Sequence, residues 1–307
     1  MGKCARTTGG TNVSEQILQP GTRLKEYRIE AVLGQGGFGV TYMAYDEHLD
    51  KRVAIKEYLP RDWAIRIDEQ TVGPRTDDDR DDYAWGLERF LDEARTLARF
   101  DHPNLNRVHR FFEDHGTAYL VLDYIDGEPL SARLAREGTL AAADVERLLV
   151  EMTAALEEVH RAGYVHRDIK PGNILIRSDG AAVLVDFGAA RQAVGGRSRS
   201  ITTVLTPGYA PIEQYDSKGT DIGPWTDLYA LGMVAYRCIA GCGEGDLVEA
   251  NTRARQTYRG QADGLVPAVR AAGKGYPKAL LEAIDWAIAV DEGSRPQDAV
   301  QWRRALL

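Results

Sequence analysis

A short glycine cluster is the feature that most restricts what this chain can fold into. The stretch LGQGGFG, residues 33–39, lies between two segments, 27–32 and 40–45, that contain mostly β-branched, aromatic and other apolar residues. Such segments separated by glycines are typical of two antiparallel strands joined by a turn. A third strand-like segment, 52–56, follows within a few residues. The chain is therefore predicted to begin with antiparallel β-structure and not with a β-α-β unit.

Two kinds of phosphate-binding turn share the spacing of these glycines. Gly34, Gly36 and Gly39 form the pattern G-x-G-x-x-G. In a dinucleotide-binding domain a helix begins directly after the last glycine, but here the strand-like sequence VTYMAY follows. We therefore favour a glycine hairpin whose backbone N–H groups approach nucleotide phosphates closely, because no side chains intervene. A nicotinamide oxidoreductase stays as an alternative that requires a helix after Gly39.

Three further motifs carry groups suited to phosphate chemistry. Residues 53–56 read VAIK, which places Lys56 on the strand after the hairpin. Residues 166–173 read HRDIKPGN and put an acid, Asp168, close to an amide, Asn173. Asp186 begins the sequence DFG directly after an apolar segment. Cations and their oxygen ligands are the groups that a transferred phosphoryl group requires.

In their order and spacing these motifs resemble those of protein kinases, and they resemble most the bacterial serine/threonine (eukaryotic-like, Hanks-type) branch. The resemblance extends from about residue 27 to residue 307. It implies an α+β fold with two lobes, an N-terminal antiparallel β-sheet lobe with one main helix and a larger, mostly helical C-terminal lobe. We expect a flexible leader at 1–23 and a kinase domain at 24–307. That domain would divide into 24–124, with an insert at 57–84, and 125–307.

The resemblance also implies an activity and assigns roles in it. The protein would transfer the γ-phosphate of ATP to serine or threonine hydroxyls of proteins. Asp168 would accept or orient the hydroxyl proton, and Lys170 would steady the transferred phosphate. Asn173 and Asp186 would hold Mg²⁺, with Mn²⁺ as the other candidate metal. A threonine that positions the substrate is expected at Thr206.

Lys56 would hold the α and β phosphates and pair with an acid on the helix predicted from residues 87–98. Apolar residues recur there at helical spacing. We choose Glu93 as the acid because Phe90 and Leu97 lie on the same face, and Glu88 is the alternative. The separation between Lys56 and Glu93 is longer than is usual in the family because of the insert.

The nucleotide would contact side chains from both lobes and the backbone that connects them. By resemblance, the phosphates would lie against the glycines named above. The adenine would contact the side chains of Leu33, Thr41, Ala54 and Leu175, with Leu122 as gatekeeper. It would also form hydrogen bonds with the backbone of Asp123 and Ile125.

A polar segment between Asp186 and Glu213 is expected to carry a phosphorylation switch. Phosphate adds about −1.5 to −2 charges and could order this segment against Arg167. The expected sites, modified by the kinase itself in a transient homodimer, are Thr202, Thr203, Ser198 and Ser200.

Other charged residues are expected to have structural roles. The resemblance implies that Glu213 pairs with Arg295 as a buried carboxylate and guanidinium and that Asp227 supports the backbone of the loop around Asp168. The acidic run at 77–82 is predicted to be a solvated loop.

Composition excludes several classes of protein. The chain has 38 Lys and Arg against 46 Asp and Glu, a net charge of −8, which argues against nucleic acid as a partner. Its 3 cysteines in 307 residues favour a reducing, cytoplasmic location. No membrane-spanning segment or secretory signal is evident. The expected partners are proteins with serine or threonine acceptors, and the alternative is a pseudokinase that binds nucleotide as a scaffold.

Overall fold

The computed structural model describes residues 16–186, 205–215 and 221–306. These residues form two compact units. The first contains the described residues up to Arg95 together with Val108–Tyr124, and the second contains Thr96–Arg107 and the described residues from Ile125 onward.

An antiparallel sheet forms most of the first unit. The elements of this unit in chain order are β1 (Arg23–Leu24), β2 (Tyr27–Gln35), β3 (Gly39–Asp46), β4 (Lys51–Tyr58), β5 (Ala64–Arg66), β6 (Val72–Pro74), α1 (Arg80–Leu97), β7 (Val108–Asp114) and β8 (Thr117–Asp123). The main sheet has the order β1-β2-β3-β4-β8-β7, and β5 and β6 form a separate hairpin. The predicted sheet with one main helix is confirmed for the part of this unit that the structure describes.

The glycine cluster forms the turn between β2 and β3, as predicted. Pairing of these strands extends to Gly34 opposite Thr41 and Gln35 opposite Val40. A strand and not a helix begins at Gly39. The structure therefore excludes the alternative of a dinucleotide-binding turn, which needs a helix at that point.

The central strands place Lys56 and Glu57 on opposite faces of the sheet. Thr41 lies opposite Lys56, which in turn lies opposite Leu120, so these three side chains share one face. Neighbouring positions along each strand point to the other face. Glu57, directly after Lys56, therefore points away from it and is buried.

The β5–β6 hairpin covers the face that carries Glu57. Its Arg66 is buried, and a guanidinium nitrogen lies 2.6 Å from a carboxylate oxygen of Glu57. The hydroxyls of Tyr42 and Tyr119 donate to the same carboxylate at 2.8 and 2.9 Å. Burial and the neighbouring carboxylate raise the pKa of both tyrosines, which keeps the hydroxyls protonated as donors. The carboxylate is thus surrounded by three donors.

Chain before Leu24 also packs on this face. Leu18 is 1% exposed, and its backbone N–H donates to the Tyr42 hydroxyl. The Gln16 carbonyl accepts a hydrogen bond from Nε of Arg66 at 3.0 Å. Packed structure therefore begins before Leu24, because Arg66 needs acceptors that this segment supplies.

The acidic run at 77–82 is not entirely a loop, so that prediction is partly wrong. Helix α1 begins at Arg80, and Asp81 and Asp82 lie in its first turn. Acidic side chains stabilise this end of a helix because the N–H groups there carry partial positive charge. Just before the helix, the Thr76 hydroxyl donates to Asp79 at 2.6 Å. The helix is therefore longer than the apolar spacing from residue 87 predicts.

The second unit is mostly helical, as predicted. Its elements are β9 (Gly127–Pro129), α2 (Leu130–Glu137), α3 (Ala142–Arg161), β10 (Ile174–Arg177), β11 (Ala182–Leu184), α4 (Pro224–Ala240), α5 (Ala250–Tyr258), α6 (Ala268–Ala271), α7 (Lys278–Ala287) and α8 (Ala299–Leu306). Helix α3 packs against α4 and α8. In the residues described, no helix is long and apolar enough to cross a membrane.

Replacing Arg66 should destabilise the first unit strongly. In Arg66→Met the Glu57 carboxylate stays buried without its cation, which typically costs about 3–5 kcal/mol. Chemical denaturation followed by tyrosine and tryptophan fluorescence measures the change. The matched control is Arg52→Met, whose guanidinium pairs with Glu30 on an exposed surface, where about 0–1 kcal/mol is expected. Equal losses in the two variants would contradict the prediction.

Candidate active site

Three donors surround the Asp168 carboxylate in the loop that follows α3. Oδ1 of Asp168 accepts from the Thr206 hydroxyl at 2.8 Å. Oδ2 accepts from Nζ of Lys170 at 2.9 Å and from Nδ2 of Asn173 at 3.0 Å. Lys170 Nζ also lies 3.4 Å from the Thr206 hydroxyl oxygen. Asp168 is buried among these groups, so its carboxylate has one fixed orientation.

The amide of Asn173 is oriented by two bonds from the same nitrogen. Nδ2 donates to both the backbone carbonyl and the carboxylate of Asp168. An amide nitrogen has two hydrogens, so the carbonyl oxygen is the part of this side chain that can bind a cation. The backbone carbonyl of Asn173 accepts from Val185 N–H at 2.9 Å. That bond brings Asp186, the next residue, close to Asn173.

A buried carboxylate from α4 fixes the backbone of this loop. Asp227 accepts from the backbone N–H groups of His166 and Arg167, both at 2.8 Å. Nε2 of His160 lies 2.8 Å from the same carboxylate. Burial alone would raise the pKa of Asp227, but the bonds from His160 and from the His166 backbone outweigh it and lower that pKa. The predicted support of the loop by Asp227 is confirmed.

Two residues of the site have strained backbone conformations. Arg167 has φ of +66° and Asp186 has φ of +58°, both in the left-handed region that side chains disfavour. Such strain costs about 1–3 kcal/mol per residue and is concentrated at functional sites. At Arg167 the backbone is held on both sides, since its carbonyl also accepts from the Gln214 side chain at 2.8 Å.

The Arg167 guanidinium is partly buried beside this loop. Burial lowers its pKa, and the charge of Asp227 acts in the opposite direction. Its Nε is buried, and among the residues described it has no hydrogen-bond acceptor.

Glu213 and Arg295 form the predicted buried pair. The guanidinium of Arg295 donates to both carboxylate oxygens of Glu213, at 2.7 and 3.2 Å. Thr226 donates to the same carboxylate at 2.9 Å. The pair joins the turn at residues 212–215 to the segment before α8, and the prediction is confirmed.

In the first unit, Lys56 is half-buried on β4 and Glu93 is buried on α1. Glu88, the alternative acid, is exposed. The ring of Phe90, one turn before Glu93, packs 5.6 Å from the ring of Tyr58. Tyr58 points to the same face of the sheet as Lys56 because two positions separate them on β4. This placement favours Glu93 over Glu88 as the partner of Lys56, and the pairing itself stays a prediction.

The glycines of the turn differ in whether the surrounding atoms leave room for a side chain. A Cβ at Gly39 would collide with the backbone carbonyl of Glu57, so packing requires glycine there. A Cβ at Gly34 or Gly37 would meet nothing within 4 Å, and one at Gly36 would only touch the Gly39 carbonyl at 4.0 Å. Internal packing therefore does not explain these three glycines, whereas close approach by a ligand would.

The residues expected to line the adenine lie on elements of both units. Ala54 is buried, and Thr41 and Leu122 are half-buried on the same face of the main sheet as Lys56. Leu33 is 48% exposed on β2. The remaining expected residues are half-buried Asp123, whose carboxylate lies 2.6 Å from Nε2 of His109, buried Ile125 and half-buried Leu175 on β10.

The expected phosphorylation sites, Thr202, Thr203, Ser198 and Ser200, lie outside the residues that the structure describes.

Sequence reasoning missed the roles of two residues in the insert. Trp63, Ile65 and Ile67 occupy alternate positions in this segment, a pattern that does not by itself show which face is buried. In the structure Ala64 and Arg66 are the buried residues of β5 and Ile67 is 65% exposed, so the apolar residues at 65 and 67 do not form the buried face. Glu57 on the adjacent strand gives the reason, since its buried charge requires Arg66. Trp63 is buried at the start of the hairpin.

Comparison with known proteins identifies the family of this chain. The sequence model of the protein kinase domain matches residues 27–297. The chain belongs to the protein kinase family. Serine/threonine-protein kinase PknA of Mycobacterium tuberculosis is 34% identical over 254 residues, covering 80% of this chain and 54% of that protein. Serine/threonine-protein kinase C of Synechocystis sp. is 34% identical over 226 residues, covering 70% of this chain and 39% of that kinase.

This kinase chain therefore spans only about half of the length of PknA. The predicted resemblance to bacterial serine/threonine kinases is confirmed by these relatives, whose names do not favour the pseudokinase alternative. A solved structure named "PpkA-294 apo form" matches with a TM-score of 0.84 and 38% identity, covering 95% of this chain and 100% of that one. The predicted kinase fold is confirmed by this match.

Stability of the kinase should fall as pH decreases below about 6.5 because of His166. Burial lowers the pKa of His166 from its ordinary 6.5, against the opposing charges of Asp227 and Asp168. Its Nδ1 accepts from the Asp168 N–H at 3.3 Å, which requires an unprotonated nitrogen. Below pH 6.5 the unfolded chain binds a proton at this histidine that the folded chain does not, so the stabilisation present at higher pH is lost.

Denaturation with urea at a series of pH values tests this expectation. His166→Gln should reduce the slope of unfolding free energy against pH by up to about 1.4 kcal/mol per pH unit below pH 6.5. The same substitution at exposed His48 is the control. A slope in His166→Gln equal to that of the wild type would contradict the prediction.

Proposed function

We propose that this chain is a serine/threonine protein kinase that transfers the γ-phosphate of ATP to hydroxyl groups of proteins. The observation that carries the proposal is the Asp168 carboxylate, held in one orientation by Thr206, Lys170 and Asn173. Membership of the protein kinase family implies ATP and a divalent metal ion, and the same family supplies the roles of these groups.

Asp168 is the proposed group that orients the acceptor hydroxyl and takes its proton. In this step the hydroxyl oxygen forms a bond to the γ-phosphorus, the bond from that phosphorus to the β–γ bridging oxygen breaks, and the proton passes to Oδ1 or Oδ2 of Asp168. Lys170 lies beside the same carboxylate and places a positive charge where the transferred phosphoryl group would carry negative charge. ADP keeps the electron pair of the broken bond.

The donor set fits a hard divalent cation. The Asn173 amide oxygen and the Asp186 carboxylate are oxygen ligands of the kind that Mg²⁺ prefers, and the bond between Asn173 and Val185 brings these residues close together. When bound, the metal supplies positive charge to the phosphate oxygens. Mg²⁺ is the proposed ion, and Mn²⁺ is the alternative with the same ligand preference.

The first unit would hold the rest of the nucleotide. Lys56 would neutralise the α and β phosphates and Glu93 would position Lys56. The open space at Gly34, Gly36 and Gly37 supports close approach of phosphates to the backbone there. Thr41 and Ala54, on the face of the sheet that carries Lys56, would contact the adenine.

The proposal also covers which hydroxyl receives the phosphate and how the kinase is activated. By resemblance to the family Thr206 would position the acceptor, and its contacts with Asp168 and Lys170 support a serine or threonine hydroxyl as that acceptor. Phosphorylation at Thr202 or Thr203 would supply the acceptor that the buried Nε of Arg167 lacks among the described residues. The transient homodimer and the cytoplasmic location stay predictions.

Asp168→Asn should reduce phosphoryl transfer below detection in the time that the wild type needs to be fully phosphorylated. Loss of a general base lowers rates by about 10²–10⁴-fold, and asparagine cannot accept the proton. Intact-mass spectrometry of phosphatase-treated protein after incubation with Mg·ATP should show added phosphate in the wild type and none in the variant. Asp101→Asn, the same substitution at an exposed position, is the control and should gain phosphate normally.

The proposal would be overturned if the wild-type protein phosphorylated neither itself nor an added general substrate such as myelin basic protein. If Mg·ADP still bound in that case, the pseudokinase alternative would replace it.

Thr206→Ala should reduce kcat, and Thr206→Ser should restore it. Alanine removes one of the three donors to Asp168, and a hydrogen bond to a charged group is worth about 1.5–3 kcal/mol, so a loss of about ten- to hundredfold is expected. Steady-state assays with a serine peptide measure both variants. Equal activity of Thr206→Ser and Thr206→Ala would show that the hydroxyl has no role.

A further inference from the structure

The segment that follows β4 bonds directly to the glycine turn. The backbone N–H of Leu59 donates to the Phe38 carbonyl at 3.1 Å, and that of Arg61 donates to the Gly37 carbonyl at 2.9 Å. These two bonds extend the β3–β4 ladder, in which Gly39 lies opposite Tyr58, onto the turn itself. The backbone of Gly37 and Phe38 is therefore held by residues 59–61. We name residues 59–63 the brace.

A ring contact reinforces these backbone bonds. The rings of Phe38 and Trp63 are edge to face with 6.4 Å between their centroids. Edge-to-face pairs at this separation attract each other by about 0.5–1.5 kcal/mol beyond their buried area. Trp63 is 7% exposed, whereas Phe38 is half-buried. The tryptophan is thus the fixed partner of the pair.

The brace is itself anchored to the rest of the first unit. Within the brace, Trp63 N–H donates to the Pro60 carbonyl at 3.2 Å. The Trp63 carbonyl accepts from the N–H of Arg75, which follows β6, at 2.7 Å. At the other end of the β5–β6 hairpin, Val72 N–H donates to the His115 carbonyl at 2.8 Å. The hairpin therefore connects the glycine turn to the turn between β7 and β8.

The hairpin is also fixed at its centre by the buried pair of Arg66 and Glu57. A turn containing four glycines has a large conformational entropy to lose when its amides are ordered around phosphates. Holding such a turn before the ligand arrives removes part of that loss from the binding free energy.

We propose that Trp63 is a positioning residue for nucleotide binding, which acts through Phe38 to keep the glycine turn in its binding conformation. The proposal rests on the proposed function, since it assigns the turn to ATP phosphates. It identifies the insert as a functional element of the kinase.

Nucleotide affinity and steady-state kinetics of Trp63 variants test the proposal. We expect Trp63→Ala to raise the Kd of Mg·ADP, measured by calorimetry, and the KM for ATP by about three- to tenfold, which lies within the range of about two- to thirteenfold that the loss of one ring pair corresponds to. The KM for a serine peptide should not change. Trp63→Phe, which keeps a ring, should return the Kd to within about twofold of the wild type.

The control is Trp85→Ala in the same unit. Trp85 is half-buried on α1, where the Arg89 guanidinium lies 6.0 Å from its ring. This variant should bind Mg·ADP as the wild type does. Thermal unfolding of every variant shows whether it is folded at the assay temperature. If Trp63→Ala is unfolded there, Trp63→Leu, which keeps apolar volume without a ring, replaces it under the same criteria.

A double-mutant cycle with Phe38→Ala tests the route of the effect. If Trp63 acts through Phe38, the double variant should bind Mg·ADP no more weakly than Phe38→Ala alone. Hydrogen exchange should show faster exchange of the Arg61 amide in Trp63→Ala, because its bond to Gly37 weakens.

Three results would overturn the proposal. They are a wild-type Kd in the folded Trp63 variant, an equal rise in Trp85→Ala, and multiplying effects of Trp63→Ala and Phe38→Ala. A wild type that neither binds Mg·ADP nor transfers phosphate would instead refute the proposed function. A wild type that does both, with an unaffected Trp63 variant, would refute only the role of Trp63.

Discussion

A carboxylate removed from water must be surrounded by donors, and the loop at the proposed catalytic site depends on one such group. Asp227 is fully buried and accepts hydrogen bonds from the backbone N–H groups of His166 and Arg167, and the His160 ring lies within hydrogen-bond distance of it. Without these bonds its charge would oppose folding, since an unpaired buried charge costs several kcal/mol. The need to satisfy one carboxylate on α4 therefore determines the path of the loop that carries Asp168.

The first unit uses the same principle at Glu57. Its carboxylate is buried at the centre of the sheet, and Arg66, Tyr42 and Tyr119 satisfy it. The strand pattern puts Glu57 and Lys56 on opposite faces, so one strand provides both the proposed phosphate ligand and the anchor of the insert. The insert is thus not a separate appendage, because removing it would leave this charge without its cation.

How much the sequence could predict depends on whether an interaction is local or follows a family pattern. The glycine hairpin followed from residues adjacent in sequence, and the pair of Glu213 and Arg295 from the kinase resemblance, and the structure confirms both. The pairing of Glu57 with Arg66 could not be found this way, because the choice of buried face in the short strand β5 is made by the strand it covers. A single alternating segment fixes the period but not which face is inward.

The remaining question is why so strained a loop persists. The left-handed conformations at Arg167 and Asp186 cost about 1–3 kcal/mol each. Hydrogen bonds to a charged carboxylate return about 1.5–3 kcal/mol each, and Asp227 accepts two from this backbone. The bond to the Arg167 N–H is of similar size to the strain at Arg167, so the buried carboxylate is sufficient to hold the backbone at that residue. Arg167 directly precedes Asp168, so the bonds that hold its backbone also hold the Asp168 carboxylate beside Thr206 and Lys170.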